Sequence, residues 1–214
     1  MADLWPTLGA ERVARACGSR LIAGVDEVGR GCVAGPVVAG AVILALDSGS
    51  LLERLVRAGV RDSKLMSAAQ REAALPEIEA AAIALGVGVA PVWEVDSVGI
   101  VGATRRAMAR AVRSLAPAPD LLLVDALRLP ELRLRQRPII HGDRLCLSIA
   151  AASVVAKVCR DRWMAMLEEW WPGYGFAVNK GYPTPEHQQA LAALGPCPIH
   201  RRTFAPVAAA MRNP

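Results

Sequence analysis

The chain has 214 residues, of which 53% are apolar, 21% charged and only 4% aromatic, a composition that excludes a disordered or collagenous polymer. This length fits one core with room for a small appendage. The formal net charge of +5 is a weak lean toward a polyanionic partner, but it is unevenly spread: residues 1–100 sum to −3 and residues 101–214 to +8.

In chain order, Leu21–Glu27 and Val37–Leu44 are apolar, β-rich segments separated by the glycine-dense GRGCVAGP, which predicts two neighbouring strands joined by a tight connection. Ser67 is placed to cap a helix through the alanine-rich stretch to Ala84, with Pro76 a point of kinking. Leu85–Trp93 is a third strand. Over residues 98–115, Val101, Met108 and Val112 oppose Arg105, Arg106, Arg110 and Arg113, the pattern of an amphipathic helix with a basic face. Leu121–Val124 is a wholly apolar run ending in Asp125, as in a buried strand, and Pro138–His141 is a weaker fifth strand. A long helix then runs from Cys146 to about Trp170, amphipathic through Val158, Trp163 and Met166. Two short helices, about 185–194 and 204–212, close the chain. This order predicts an α/β fold with a mixed sheet, a single domain over 1–214 in which 172–214 is a helical extension.

Five cysteines, Cys17, Cys32, Cys146, Cys159 and Cys197, form an odd set with no CxxC pair, which indicates neither a disulfide framework nor a zinc knuckle. Reduced, mostly buried thiols are expected. The longest charge-free run, Gly31 to Leu46, spans 16 residues, short of the ~20 a membrane-spanning helix needs. Charges at Asp3, Glu11, Arg12 and Arg15 leave no secretory pattern. A cytosolic monomer without membrane contact is expected. Arginine outnumbers lysine 22 to 3, for which a coding bias is a simpler account than phosphate recognition.

Carboxylates stand at the ends of apolar strands twice, in GVDE (Asp26, Glu27) and in LLLVD (Asp125), and Asp143 follows in HGD. A carboxylate at the end of a buried strand is costly to ionise unless a cation or donor meets it. Several converging at ~4 Å would repel by roughly 4 kcal/mol per pair at an effective dielectric near 20. Hard oxygen ligands of this kind suit Mg²⁺ or Mn²⁺. Taken singly, each acid has an ordinary explanation: Asp26 capping a turn, Asp125 pairing with an arginine such as Arg30. Three strand-end positions together weaken it. The GRG glycines beside Asp26 and Glu27 permit close backbone approach to a ligand.

The strings GVDEVGRGCVAGPVVAGAV, RDSK at 61–64, LLLVDA around 122–126, HGDRLCLSIAAASVVAKVCRDR at 141–162, NKGYPT and HRRTF together resemble ribonuclease HII, in the family's order and over nearly the whole chain. The resemblance implies a ribonuclease H-like fold, with a central mixed sheet flanked by helices. It implies an endonuclease that hydrolyses the RNA strand of RNA/DNA hybrids and nicks duplex DNA 5′ of an embedded ribonucleotide, leaving 3′-OH and 5′-phosphate, in ribonucleotide removal and RNA primer degradation. It assigns Asp26, Glu27, Asp125 and Asp143 as the catalytic acids holding two Mg²⁺ or Mn²⁺ ions, Gly29, Arg30 and Gly31 as the element touching the ribose 2′-OH, and Tyr182 as its co-worker. Ser63, Lys64, Ser153, Lys157 and Lys180 are further substrate-contact candidates, Ser153 and Lys157 lying four apart on one helical face. The family's DSKKLS is DSKLMS here and its frequent VDG is VDA, changes that cost one lysine and leave the carboxylate in place.

Two-metal hydrolysis needs no histidine base, so His141, His187 and His200 are expected to be surface or satisfied core residues, and Trp170, Trp171 and Tyr174 to be core rather than a stacking platform. A hybrid binder without activity would gain nothing from four acids facing phosphates. Another metal nuclease of this fold, such as a resolvase, would not explain GRG together with Tyr182. The ribonuclease HIII type carries an extra N-terminal domain, for which the residues before the first strand are too few.

Overall fold

The protein is described here as a computed structural model, which covers residues 5–212. Helix α1 (Gly9–Ala16) precedes strands β1 (Ile22–Val28) and β2 (Val37–Leu44); α2 (Gly49–Arg57), a 3₁₀ turn (Ser63–Leu65) and α3 (Ala68–Ala81) lead to β3 (Ala82–Ala90). Next come α4 (Val92–Arg113), β4 (Leu121–Asp125), β5 (Arg135–Ile139), α5 (Gly142–Leu145) and α6 (Leu147–Trp170), then α7 (Phe176–Asn179), α8 (Pro185–Leu194) and α9 (Ala205–Ala210). The sheet order is β3-β2-β1-β4-β5. The β1–β2 and β2–β3 pairs are antiparallel, and the β1–β4 and β4–β5 pairs are parallel. This is the mixed sheet the sequence predicts.

Strand alternation sorts the core into two layers. Ala23, Val25, Val37, Ala39, Ala41, Leu122 and Val124 face α4, where they bury Ala103, Ala107, Met108 and Val112. Val42 and Leu44 face the opposite way, against Leu55 of α2, Ile78 of α3 and Ala150, Ala151 and Val154 of α6. The small residues opening α6 let it lie directly on the sheet: a Cβ on Gly24 would stand 2.1 Å from the Ser148 carbonyl carbon. The site depends on this second face, because Asp26 shares it with Gly24.

Ser67 caps α3 in a reciprocal box with Gln70, Ser67 Oγ accepting from Gln70 N at 3.2 Å and Gln70 Oε1 from Ser67 N at 2.8 Å, and α3 continues through Pro76. Several boundaries differ from expectation. Residues 82–84, read as helix, open β3, because an alanine run has no period of its own and β2 supplies the ladder. The amphipathic helix begins at Val92 rather than 98, interrupted at Gly99 (φ 73°, ψ 166°). Its Val101 is 41% exposed, and its Arg106 and Arg110 are drawn onto the buried Glu94, so the basic face is partly neutralised within the fold. β5 begins three residues and ends two residues earlier than predicted. Helices α1 and α2 are not among the elements predicted from the sequence. The five cysteines are free, and Cys32, Cys146 and Cys197 are buried. Among the described residues no helix is long and apolar enough to cross a membrane.

The extension closes around a histidine pair. His187 and His200 are buried with their Nε2 atoms 3.1 Å apart; Phe176 and Tyr174 stack alongside. Trp171 packs in this cluster, whereas Trp170, expected in the core, is 77% exposed because it falls on the last, outward-facing turn of α6. His187 Nδ1 lies 2.8 Å from the Tyr182 carbonyl, and Cys197 N–H donates to His200 Nδ1 at 3.1 Å. These contacts fix the tautomers: His187 donates through Nδ1 and accepts at Nε2 from a neutral His200. Burial, and then His187, push His200 down to about 4. The unfolded imidazole, near 6.5, therefore takes a proton that the folded one refuses, and this contribution is lost as the pH falls. The difference in unfolding free energy between wild type and His200→Gln should shrink between about pH 6.5 and about pH 4. Urea titrations at stepped pH measure it, and a constant difference would contradict the neutral pair.

Candidate active site

Asp26 sits on β1 and Asp125 at the end of β4. Because Val25 pairs with Val124 in parallel register, the next residues, Asp26 and Asp125, stand side by side and share the α6 face. Ligand oxygens of Asp26, Glu27 and Asp125 all lie within 4.8 Å of one another. At that spacing a pair of full charges repels by roughly 3–4 kcal/mol at an effective dielectric of 20. Burial, and then the charges of Glu27 and Asp125, push Asp26 well above the ordinary carboxylate range, with the Ser153 hydroxyl working the other way. Glu27 is also raised, chiefly by burial, against the pull of Arg30, which donates to its Oε1 at 3.1 Å. Its Oε2 is buried with no hydrogen-bond partner. A buried carboxylate oxygen without a donor, at the edge of a trio of hard oxygen ligands, fits a divalent cation.

Asp143 stands to one side. It lies in the first turn of α5, 3.8 Å from Lys64 Nζ, and is outside the trio. Burial, then Asp62 and Asp125, raise its pKa, while Lys64 and Arg144 oppose them. Asp125 is steered toward this side, its Oδ1 accepting from Gly142 N–H at 2.7 Å. The residue after it, Ala126, is held at φ 53°, a left-handed conformation that a glycine would adopt without the roughly 1 kcal/mol an L-residue loses there.

The carboxylates open onto a cavity of about 380 Å³ whose wall includes Glu27, Asp125, the Gly29–Gly31 loop, Ser63, Lys64, Lys157 and Tyr182. A larger, mostly apolar hollow of about 560 Å³ between α1 and α2 lies away from these acids. Most of the residues singled out from the sequence thus meet in one cleft. Ser63 reaches it from the 3₁₀ turn, which Asp62 caps through Lys64 N–H, and its Oγ accepts from Ser153 Oγ at 2.9 Å. Lys157 bonds Asp161 at 2.8 Å and stands over the Tyr182 ring at 5.5 Å. Burial foremost pushes the Tyr182 phenol up to about 12, so it is a donor and not a base at neutral pH. Lys180 does not line this cleft; its ammonium turns back onto the Ala177 carbonyl at 2.6 Å, beside a separate hollow. The backbone at this substrate-contact candidate is left-handed (φ 53°).

The two GRG glycines serve different ends. Gly29 has φ 92°, and a Cβ there would stand 2.3 Å from Arg160 Nε, whereas a Cβ on Gly31 would meet nothing within 4 Å. Gly29 is required by packing, and Gly31 leaves open space in the cleft. Four residues near the site went unassigned in the sequence: Asp62, Asp161, Arg160 and Arg201. All lie inside strings quoted there (DSK, RDR, HRR), but isolated arginines and aspartates carry no sign of burial.

A family model described as Ribonuclease HII matches residues 23–207. The chain is 49% identical over 205 residues to the Ribonuclease HII of Chloroflexus aggregans, covering 94% of each chain, and 50% identical over 203 residues to that of Dehalococcoides mccartyi, covering 94% of this chain and 93% of the relative. Among solved structures it resembles the ribonuclease H2 of Pyrococcus horikoshii, with TM-score 0.74 and 26% identity over 90% of this chain and 98% of that one. A Bst-RNase HIII solved in complex with Mn²⁺ shares the fold at TM-score 0.71 and 20% identity, over 93% of this chain and 71% of that one.

If the acid trio is strained by like charge, Asp26→Asn should raise the melting temperature of the EDTA-treated protein and lose the upward shift that Mn²⁺ gives the wild type. Calorimetry reads both, and an unchanged Mn²⁺ response would refute the assignment of Asp26. Gly31→Ala should fold normally, whereas Gly29→Ala should lose at least about 1 kcal/mol of stability, which denaturant titration compares directly. The mixed five-stranded sheet, the clustered acids and the family match lead to one conclusion: this chain belongs to the ribonuclease HII family and is a ribonuclease H, a metal-dependent endonuclease.

Proposed function

We propose that the protein cleaves the RNA strand of RNA/DNA hybrids and nicks DNA duplexes on the 5′ side of an embedded ribonucleotide, in ribonucleotide removal and primer degradation. The observation that carries this reading is a single cleft walled by the carboxylates and by the GRG loop and Tyr182. The first group suits phosphodiester hydrolysis and the second suits recognition of a sugar. Asp26, Glu27 and Asp125 would hold Mg²⁺ or Mn²⁺, with Asp143 as the fourth acid on the Lys64 side. Bound divalent ions supply a nucleophile at neutral pH and neutralise charge at the scissile phosphate.

The chain's own residues do the rest. RNA is told from DNA through the 2′-OH and groove shape, and among the described residues the Gly31 amide has no acceptor of its own. It is free to donate to a ribose or phosphate oxygen in the open space above it. Tyr182, protonated and braced by Lys157, offers a flat ring and a phenol donor to the neighbouring sugar. Lys64, largely exposed at the cleft wall, and Arg30 are phosphate contacts, and Ser63 and Ser153 hold the 3₁₀ turn against α6. Val33 of the GRG loop packs with Leu191 of α8 and Val207 of α9, which supports a role for the C-terminal extension in bracing the substrate-reading loop.

The direct test is incubation of the protein with a duplex holding one ribonucleotide, an all-DNA duplex and a long hybrid, each with Mg²⁺, Mn²⁺ or EDTA. Metal-dependent nicking 5′ of the ribonucleotide, leaving a 3′-OH, is expected, and cutting of the all-DNA duplex would sink the proposal. Asp125→Asn should abolish cleavage while duplex binding survives. Tyr182→Ala should impair cleavage at the lone ribonucleotide more than binding to all-DNA duplex, and equal losses would count against its reading role. Affinity should fall with salt at a log–log slope of about −0.9 per phosphate contacted, and a flat response would exclude the basic cleft wall as a phosphate track.

A further inference from the structure

Arg160 and Arg201 are completely buried, and among the described residues every acceptor they meet is a main-chain carbonyl. Arg160, from the middle of α6, donates through Nε to Pro36 O at 2.9 Å, through Nη2 to Ala34 O at 3.0 Å and through Nη1 to Lys180 O at 2.7 Å. Arg201 donates to Gly35 O at 3.0 and 2.8 Å, to Cys32 O at 2.6 Å and to Arg30 O at 3.1 Å. Two guanidinium forks therefore gather the carbonyls of the GRG loop and of the loop preceding Tyr182. Burying a cation without a carboxylate is costly, and a purely structural clamp needs no charge.

Peptide planarity gives the arrangement a direction. A trans peptide points its N–H opposite to its carbonyl, so a carbonyl turned inward onto Arg201 turns the next N–H outward. Of the amides following these carbonyls, Val33 N–H is taken by Gly181 O, Gly35 N–H by Ile199 O and Gly181 N–H by Asn179 Oδ1. Gly31 N–H, on the peptide whose carbonyl meets Arg201, has no partner among the described residues, and Gly31 lines the cleft. A charged donor on the carbonyl also polarises that peptide and strengthens its N–H as a donor. Arg160 meanwhile fixes Lys180, two residues before Tyr182, to the same loop.

We propose that Arg160 and Arg201 are positioning residues that set the distance between the Gly31 amide and the Tyr182 ring, and with it the enzyme's discrimination of a ribonucleotide from a deoxyribonucleotide. The inference rests on the reading of the cleft given above. Lysine in either place keeps the charge and loses the fork. For Arg201→Lys and Arg160→Lys, the KM for a one-ribonucleotide duplex should rise about tenfold more than the inhibition constant of the same duplex made wholly of DNA, the loss expected for charge-assisted hydrogen bonds. The thermal shift given by Mn²⁺ should persist, because the carboxylates are untouched.

A merely structural role would raise KM and the inhibition constant in step, and that result, or no change in either, overturns the proposal. Should the variants not fold, hydrogen exchange of the unaltered protein decides it. The amide of Val33, bonded to Gly181 of the Tyr182 loop, and those of Gly35 and Arg201, which tie the GRG side to the 199–201 segment, should open together, and independent opening overturns the clamp. A wild type that does not cleave at a lone ribonucleotide would overturn the reading of the cleft instead, whereas cleavage that keeps its discrimination in both variants overturns only this inference.

Discussion

Like-charge repulsion at the end of β1 is the constraint around which the site is arranged. Parallel pairing of β1 with β4 forces Asp26 and Asp125 onto one face, and Glu27 joins them within 4.8 Å. A fold does not gather three carboxylates at this spacing for stability, since their like charges crowd one another. The surroundings answer that repulsion piecemeal. Arg30 takes one oxygen of Glu27, Gly142 donates to Asp125, and Lys64 stands by Asp143, while Glu27 Oε2 is left without a partner. The stability withheld here is supplied by the apolar layers on either side of the sheet.

Positive charge is deployed at two depths. Lys64 and Arg30 lie at the cleft surface, where water screens them. Arg160 and Arg201 lie beneath it, unscreened and satisfied by carbonyls. The uneven charge of the two halves of the chain has a structural meaning in these terms: the acidic half brings Asp26 and Glu27 on β1, and the basic half brings α6 and the extension that surround them. Part of the basic surplus is spent inside the fold, however, as the Arg106 and Arg110 contacts with Glu94 show.

Much of this was legible in the residues. Alternation and strand-end acids placed β1, β2 and β4, and Ser67 announced α3, because each signal is local. The family's motifs gathered the cleft residues from five separated stretches, which no periodicity could have done. What stayed hidden depended on partners distant in sequence. Residues 82–84 are a strand only because β2 is beside them, α1 and α2 are short helices stabilised by packing, and the Lys180 side chain follows a left-handed backbone that composition does not reveal. The 22 arginines, read as a coding bias, include two whose forked geometry the loops require; a count cannot separate those from the rest.

The outermost strand has a bearing on how the molecule behaves in a crowded solution. β5 runs Arg135-Gln136-Arg137-Pro138-Ile139, with both arginines exposed. An open parallel edge is a template for pairing with another chain, and charged side chains together with a proline that lacks an N–H make it a poor one. The sheet therefore ends at β5 by repulsion rather than by being covered, so concentrated protein on this side has little tendency to add a sixth strand from a neighbour and begin a fibre.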